Sequence, residues 1–198
     1  TMSERYIELV GSSGRLKGKG LGQKIDQFDL VARFNAAPTI GFEKDVGSRT
    51  THRFIGTHGL GSDEYFDNNN HPYSLKQIEG VQLLADMQPK FADKYRPFLR
   101  ESFTAQRVSY RKGIQRIEEL TGVRFGMTPR ISTGFKGVVH FLDDEPAICG
   151  YDIDIESPKY LTHYWDDIKG GVASHRWNVE RKAIIKLLEL GILEVIDE

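Results

Sequence analysis

The stretch Tyr6-Ile7-Glu8-Leu9-Val10-Gly11-Ser12-Ser13-Gly14 decides how this chain folds. A short apolar run halted by a glycine–serine cluster is the mark of a strand that ends in a tight loop. Further glycines at 18, 20 and 22 extend the loop, and a short helical stretch follows around Gln23–Phe28. Asp29–Phe34 then reads as a second strand, His52–Ile55 as a third, Val81–Ala85 as a fourth and Ala147–Tyr151 as another. Apolar residues recur at helical spacing over Phe91–Phe103, where Pro97 interrupts them, and over Tyr110–Leu120. Ser132-Thr133-Gly134 opens a helix that runs through Leu142. Asn178–Leu190 is the clearest amphipathic helix, with Gly191 as its stop and Ile192–Ile196 as a closing strand. Gly61–Pro72, with three asparagines in a row, reads as a surface loop. Strands alternating with helices specify an α/β fold. The expectation is a single Rossmann-like domain over residues 1–198, with a mostly parallel twisted sheet flanked by helices.

Composition narrows the function. The chain has 198 residues, 39% hydrophobic and 28% charged, as ordinary globular domains do. Its 27 basic and 28 acidic residues leave a net charge of -1. That balance speaks against nucleic acid as a partner, since phosphate backbones are met by a basic surface. Cys149 is the only cysteine. One cysteine makes no intrachain disulfide and leans towards a reducing, cytoplasmic setting. No apolar run reaches the roughly 18 residues of a membrane span. Thr1-Met2-Ser3-Glu4-Arg5 has no signal-peptide pattern. A Golgi-lumenal enzyme that has lost an N-terminal anchor is the alternative.

Several constellations can carry chemistry, each with a plainer reading beside it. Gly11-Ser12-Ser13-Gly14 past the first strand lets backbone approach a phosphate or nucleoside. It lacks the dinucleotide spacing and the P-loop ending, so by itself it is a glycine-rich turn. The run from Arg15 to Lys19 suits a phosphate or a solvated loop equally. Asn35 stands at the end of the second strand, where parallel sheets collect ligands, and can read a base or ribose or merely shape the turn before Pro38. Ser132-Thr133-Gly134 is either an anion site at a helix start or a plain N-cap. His163 and His175 can move a proton or support a departing phosphate, although most histidines do neither. His52, His58, His71 and His140 carry less weight. Asp152-Ile153-Asp154 after a strand has the form of a metal-holding pair, a pattern that also arises by chance.

In this order, these segments resemble the four sialylmotifs of the eukaryotic-type sialyltransferase family. Val10 to Asp26, continuing through Asp45-Val46-Gly47-Ser48-Arg49-Thr50-Thr51-His52, is similar to the large motif nearly end to end. Ser132 through Gly150 resembles the small motif, Thr162–Asp166 the third, and His175 with Glu180 the very small one. The resemblance implies a variant GT-A fold and an inverting, metal-independent enzyme with no cofactor. It would use CMP-sialic acid as donor and a glycan, a galactoside by expectation, as acceptor. Carried over by position, Ser12, Ser13 and Asn35 would meet the CMP moiety, with Gly11 and Gly150 also among the donor-binding residues. Ser132, Thr133 and Gly134 would lie by the phosphate and sugar. His163 would stabilise the leaving phosphate, and His175 would be the general base on the acceptor hydroxyl. Tyr164 and Glu180 would support the site.

The chain also departs from the family pattern. Ile7 and Leu142-Asp143 stand where the family usually places its disulfide cysteines. Ser12 replaces the usual asparagine of the opening Gly-Asn-Ser-Gly. Arg130-Ile131 replaces Tyr-Pro, and Arg130 is a candidate partner for a donor or acceptor carboxylate. CMP offers one phosphate where UDP offers two, so a metal clamp is less needed and Asp152/Asp154 lose force as ligands. Two alternatives remain open at this point: a CMP-Kdo or other CMP-ulosonic acid donor on the same scaffold, and a non-catalytic CMP- or glycan-binding module.

Overall fold

The computed structural model describes residues 4–35, 37–55, 82–85, 105–107, 110–127, 130–154, 162–166 and 177–196. Seven strands form one sheet. They are β1 (Ile7–Val10), β2 (Leu30–Phe34), β3 (His52–Ile55), β4 (Gln82–Ala85), β5 (Ala105–Arg107), β6 (Ala147–Cys149) and β7 (Glu194–Val195). Their order is β5-β4-β3-β2-β1-β6-β7, and every neighbouring pair is parallel. The helices are α1 (Gly22–Ile25), α2 (Glu43–Val46), α3 (Arg111–Thr121), α4 (Thr133–His140) and α5 (Trp177–Glu189).

Side chains alternate across the sheet and divide the core in two. Ile7, Leu9, Ala32, Phe34, Phe54 and Ile148 enter the larger cluster, where α3, α4 and α5 contribute Ile117, Phe135, Val138, Ala183 and Leu187. Val10, Val31, Ala147 and Cys149 enter the other, which Leu16, Leu21, Ile25, Val46 and Tyr164 cover. A parallel sheet buried on both faces is the α/β arrangement expected from the sequence.

The helix ends follow their local chemistry. Ser132 caps α4, its hydroxyl accepting the Phe135 N–H at 3.2 Å. Gly122 and Gly191, at φ of 72° and 71°, turn the chain after α3 and α5. The helix expected to run through Leu142 stops at His140, and a tight turn over Leu142–Asp144 completes it. The ladder shortens there because the chain must return to the sheet at Ala147. The closing strand is only Glu194–Val195, an edge pairing with Ala147 and Ile148. The first short helix is Gly22–Ile25. Strand β5 and helix α2 were not read from the sequence. The expected helix over Phe91–Phe103 and the loop over Gly61–Pro72 lie outside the described residues.

Phe54 ties the larger core together: it is fully buried, with ring centroids 5.5 Å from Phe34, 5.9 Å from Phe141 and 5.6 Å from His140. Phe54→Ala should cost about 3–5 kcal/mol of stability, measured by urea denaturation against wild type.

Candidate functional site

Strand β1 sits between β2 and β6, so the chain leaves β1 in one direction along the sheet and later returns on its other side. Such a reversal opens a crevice beyond the strand carboxyl ends. Because all seven strands run parallel, Gly11, Asn35 and Gly150 follow their strands at the same edge.

Backbone contacts join the loops at this edge. The Gly11 N–H donates to the Cys149 carbonyl at 2.8 Å and the Ser13 N–H to the Gly150 carbonyl at 3.1 Å. A Cβ on Gly11 would lie 2.2 Å from the Gly150 oxygen, so no other residue fits without moving a strand. The third expected motif lies against the same loop. The Gly14 N–H donates to the Thr162 carbonyl at 2.7 Å, and the Tyr164 N–H to the Ser12 carbonyl at 3.2 Å. Ser13 and His163 are thereby paired as in an antiparallel bridge.

Side chains fix the rest. The Ser13 hydroxyl donates to Asp152 and accepts the Arg15 N–H at 3.1 Å, so it shapes the loop. Arg15 donates to the Tyr151 carbonyl at 2.9 Å and to Asp154 at 2.7 Å. Both carboxylates of the Asp152-Ile153-Asp154 pattern are thus engaged with the first loop. The Tyr151 hydroxyl donates to the Gly134 carbonyl at 2.9 Å and ties the first turn of α4 to the segment after β6. The half-buried Thr133 and Gly134 lie in that turn. The buried Tyr164 donates its hydroxyl to the Pro38 carbonyl, tying the third motif to the turn after β2.

Asn35 opens that turn at φ 48°, a left-handed conformation uncommon outside glycine but tolerated by asparagine. The turn-shaping role is therefore real, and the residue stands at the carboxyl end of β2. His163 exposes about half its side chain, stacks on Trp165 with centroids 4.3 Å apart, and meets Asp166 through Nδ1 at 3.1 Å. Arg130 is exposed next to the cap of α4. His175 lies outside the described residues.

Much of the long first motif is scaffold. Asp45 accepts the N–H groups of Gly18 and Gly20, each at 2.8 Å. Asp26 accepts the Ser48 and Arg49 N–H groups and the Ser48 hydroxyl. Burial acts to raise the Asp26 pKa, but these donors outweigh it and hold the carboxyl below its ordinary value.

Glu180, on α5, accepts both the N–H and the hydroxyl of Ser132, each at 2.6 Å. Burial dominates its titration and pushes its pKa up to about 7, although the Ser132 hydrogen bonds pull the other way. Sequence reading missed the ties made by Tyr151, Arg15 and Arg53. A charged residue inside the strand His52–Ile55 was the available signal for Arg53.

Known proteins resemble this chain in sequence and in fold. The family model described as glycosyltransferase family 29 (sialyltransferase) matches residues 8–92. A mouse CMP-N-acetylneuraminate-beta-galactosamide-alpha-2,3-sialyltransferase 2 is 57% identical over 51 residues, 26% of this chain and 15% of the relative. A rat CMP-N-acetylneuraminate-beta-1,4-galactoside alpha-2,3-sialyltransferase is 27% identical over 208 residues, 90% of this chain and 53% of the relative. The chain thus spans at most about half the length of these relatives. A crystal structure of a mammalian sialyltransferase in complex with Gal-beta-1-3GalNAc-ortho-nitrophenol superimposes with a TM-score of 0.66 at 24% identity, over 97% of this chain and 69% of that one. The resemblance drawn from the motifs therefore holds, and so does the α/β fold.

The raised pKa of Glu180 has a consequence for folding. Its folded value, about 7, lies above its ordinary 4.5. The native state then binds more protons than the unfolded chain between those values. This group's contribution is full below about pH 4.5 and is lost as pH rises through about 7. Glu180→Gln should flatten that fall relative to wild type, as measured by denaturant titration across the window.

Proposed function

We propose, from the match of residues 8–92 to the sialyltransferase family model, that the chain is the catalytic domain of an inverting, metal-independent sialyltransferase. It transfers sialic acid from CMP-sialic acid to a galactoside hydroxyl. The observation that carries this reading is the convergence of Gly11–Gly14, Gly150–Asp152 and Thr162–Tyr164 on one crevice beside β1. Three segments that the family resemblance places near the donor meet there through direct hydrogen bonds.

The chemistry follows from the donor. CMP is a good leaving group, so the reaction needs support for charge growing on one phosphate and a base for the acceptor. The first turn of α4 would offer the phosphate the N–H groups of Thr133 and Gly134 and the Thr133 hydroxyl, because Glu180 takes the N–H and hydroxyl of Ser132. His163 stands beside the Gly11–Gly14 loop, its Nδ1 proton held by Asp166. His175 removes the acceptor proton as the hydroxyl attacks the anomeric carbon from the side opposite CMP. The engagement of Asp152 and Asp154 with Ser13 and Arg15 supports a site that works without a metal clamp.

The names of the relatives favour sialic acid over Kdo as the donor sugar. The family match likewise favours a Golgi-lumenal setting over the cytoplasmic one suggested by the lone cysteine. Among the described residues no helix is long and apolar enough to cross a membrane.

Mass-spectrometric detection of product from CMP-sialic acid and CMP-Kdo, each offered with a panel of galactosides, tests the proposal. Sialylated product is expected, and its absence with every acceptor would sink it. His175→Ala should lower the transfer rate by about 10²–10⁴-fold. A rate near wild type would remove His175 as the base.

A further inference from the structure

Arg53 is a cation in the interior, 3% exposed, in the middle strands of the sheet. Burial, together with the neighbouring Arg33, pulls its pKa down to about 10, so it stays charged at neutral pH. Taking a guanidinium out of water costs several kcal/mol unless hydrogen bonds compensate. Arg53 Nη1 donates to the carbonyl of Asn35 at 2.8 Å and to that of Ala37 at 3.0 Å. Both carbonyls belong to the turn after β2, where Asn35 is held at φ 48°.

Arg33 supplies an internal comparison. It is the register partner of Arg53 on β2 and is equally buried. Its Nε and Nη2 reach the Arg49 carbonyl at 3.1 and 2.8 Å, and its Nε also donates to the Thr50 hydroxyl at 2.9 Å. Those groups lie where the chain enters β3, at the opposite edge of the sheet. Two adjacent arginines thus brace opposite ends, and only Arg53 braces the end where the crevice lies.

We infer that Arg53 is a positioning residue for the nucleotide: it holds the Asn35 turn in the shape that meets the cytidine half of the donor. The inference rests on the CMP reading above. Tyr164, on the same face of the sheet as Arg53, donates to the Pro38 carbonyl of the same turn, so a buried strand residue and the third motif hold the turn together. A purely space-filling role would be met by an apolar side chain of similar length at lower desolvation cost.

The test compares Arg53→Met, which removes the donors, with Arg53→Lys, which keeps the charge. Hydrogen–deuterium exchange in the peptide carrying Asn35 and Ala37 should quicken in the methionine variant and less in the lysine variant, while α4 and α5 keep wild-type protection. The calorimetric Kd for CMP should rise about tenfold or more in Arg53→Met, as loss of hydrogen bonds from a charged group implies. In an Asn35→Ala background the same change should move Kd less than about twofold, because the two residues act as one unit. Unchanged exchange in that peptide overturns the inference, as does an equal loss of CMP affinity with Asn35 absent. If wild type binds no CMP, the donor reading falls and the exchange comparison alone decides the role of Arg53. Should the methionine variant fail to fold, the lysine variant carries the same comparison.

Discussion

Gly11 and Gly150 bring two strand ends closer than any side chain permits, and the crevice exists because of that approach. The Gly11 N–H reaches the Cys149 carbonyl, and the space a Cβ would need is filled by the Gly150 oxygen. Gly150 turns at φ 69°, with Leu16 packed where its own side chain would go. With the two backbones in contact, the N–H groups of Gly11 and Ser13 are spent on carbonyls at the end of β6, and the sheet itself sets the position of the loop. This edge is built on the ends of the buried strands β1 and β6.

The rest of the first motif holds that loop from outside. Asp45 gathers Gly18 and Gly20, and Asp26 gathers Ser48 and Arg49, so one continuous stretch is closed on itself by carboxylates accepting backbone N–H groups. A carboxylate that accepts several such bonds fixes loop geometry without needing a hydrophobic core of its own. This explains how a segment rich in glycine and charge can be resembled over so long a run while few of its side chains stand at the crevice. Ser12 illustrates the point. It stands where the family has asparagine, and its backbone carbonyl is what receives the Tyr164 N–H.

The fold was legible because its signals were local. Apolar runs ending in glycine gave β1 and β6, periodicity with a glycine stop gave α5, and a serine N-cap gave α4. Strand β5 was missed because Ala105-Gln106-Arg107 has neither a β-branched nor an aromatic residue; the strand is formed through pairing with β4. The site was legible as motifs and their order, not as contacts. Nothing in Ser132-Thr133-Gly134 discloses that its serine is held by Glu180, 48 residues later. Likewise, Asp152-Ile153-Asp154 resembles a metal pair in sequence and serves as an anchor for Ser13 and Arg15 in space. Long-range polar pairing is set by tertiary packing, which a linear pattern does not encode.

Glu180 shows how the two halves of the crevice are coupled. Ser132 spends its N–H and its hydroxyl proton on one carboxylate, while the hydroxyl oxygen still accepts from Phe135 to start α4. The direction of α4, and with it the first turn that faces the crevice, is therefore fixed by a residue in the opening turn of α5. Burying that carboxylate is unfavourable by itself, as its raised pKa records, and an apolar contact between the helices would be cheaper. An apolar contact would not fix the rotation of the Ser132 hydroxyl. A doubly bonded carboxylate does, because each oxygen meets one donor in a set direction. The same helix begins two residues after His175 in sequence. One polar pair therefore sets the helix proposed to meet the donor phosphate against the helix that follows the proposed base, and stability is exchanged there for alignment.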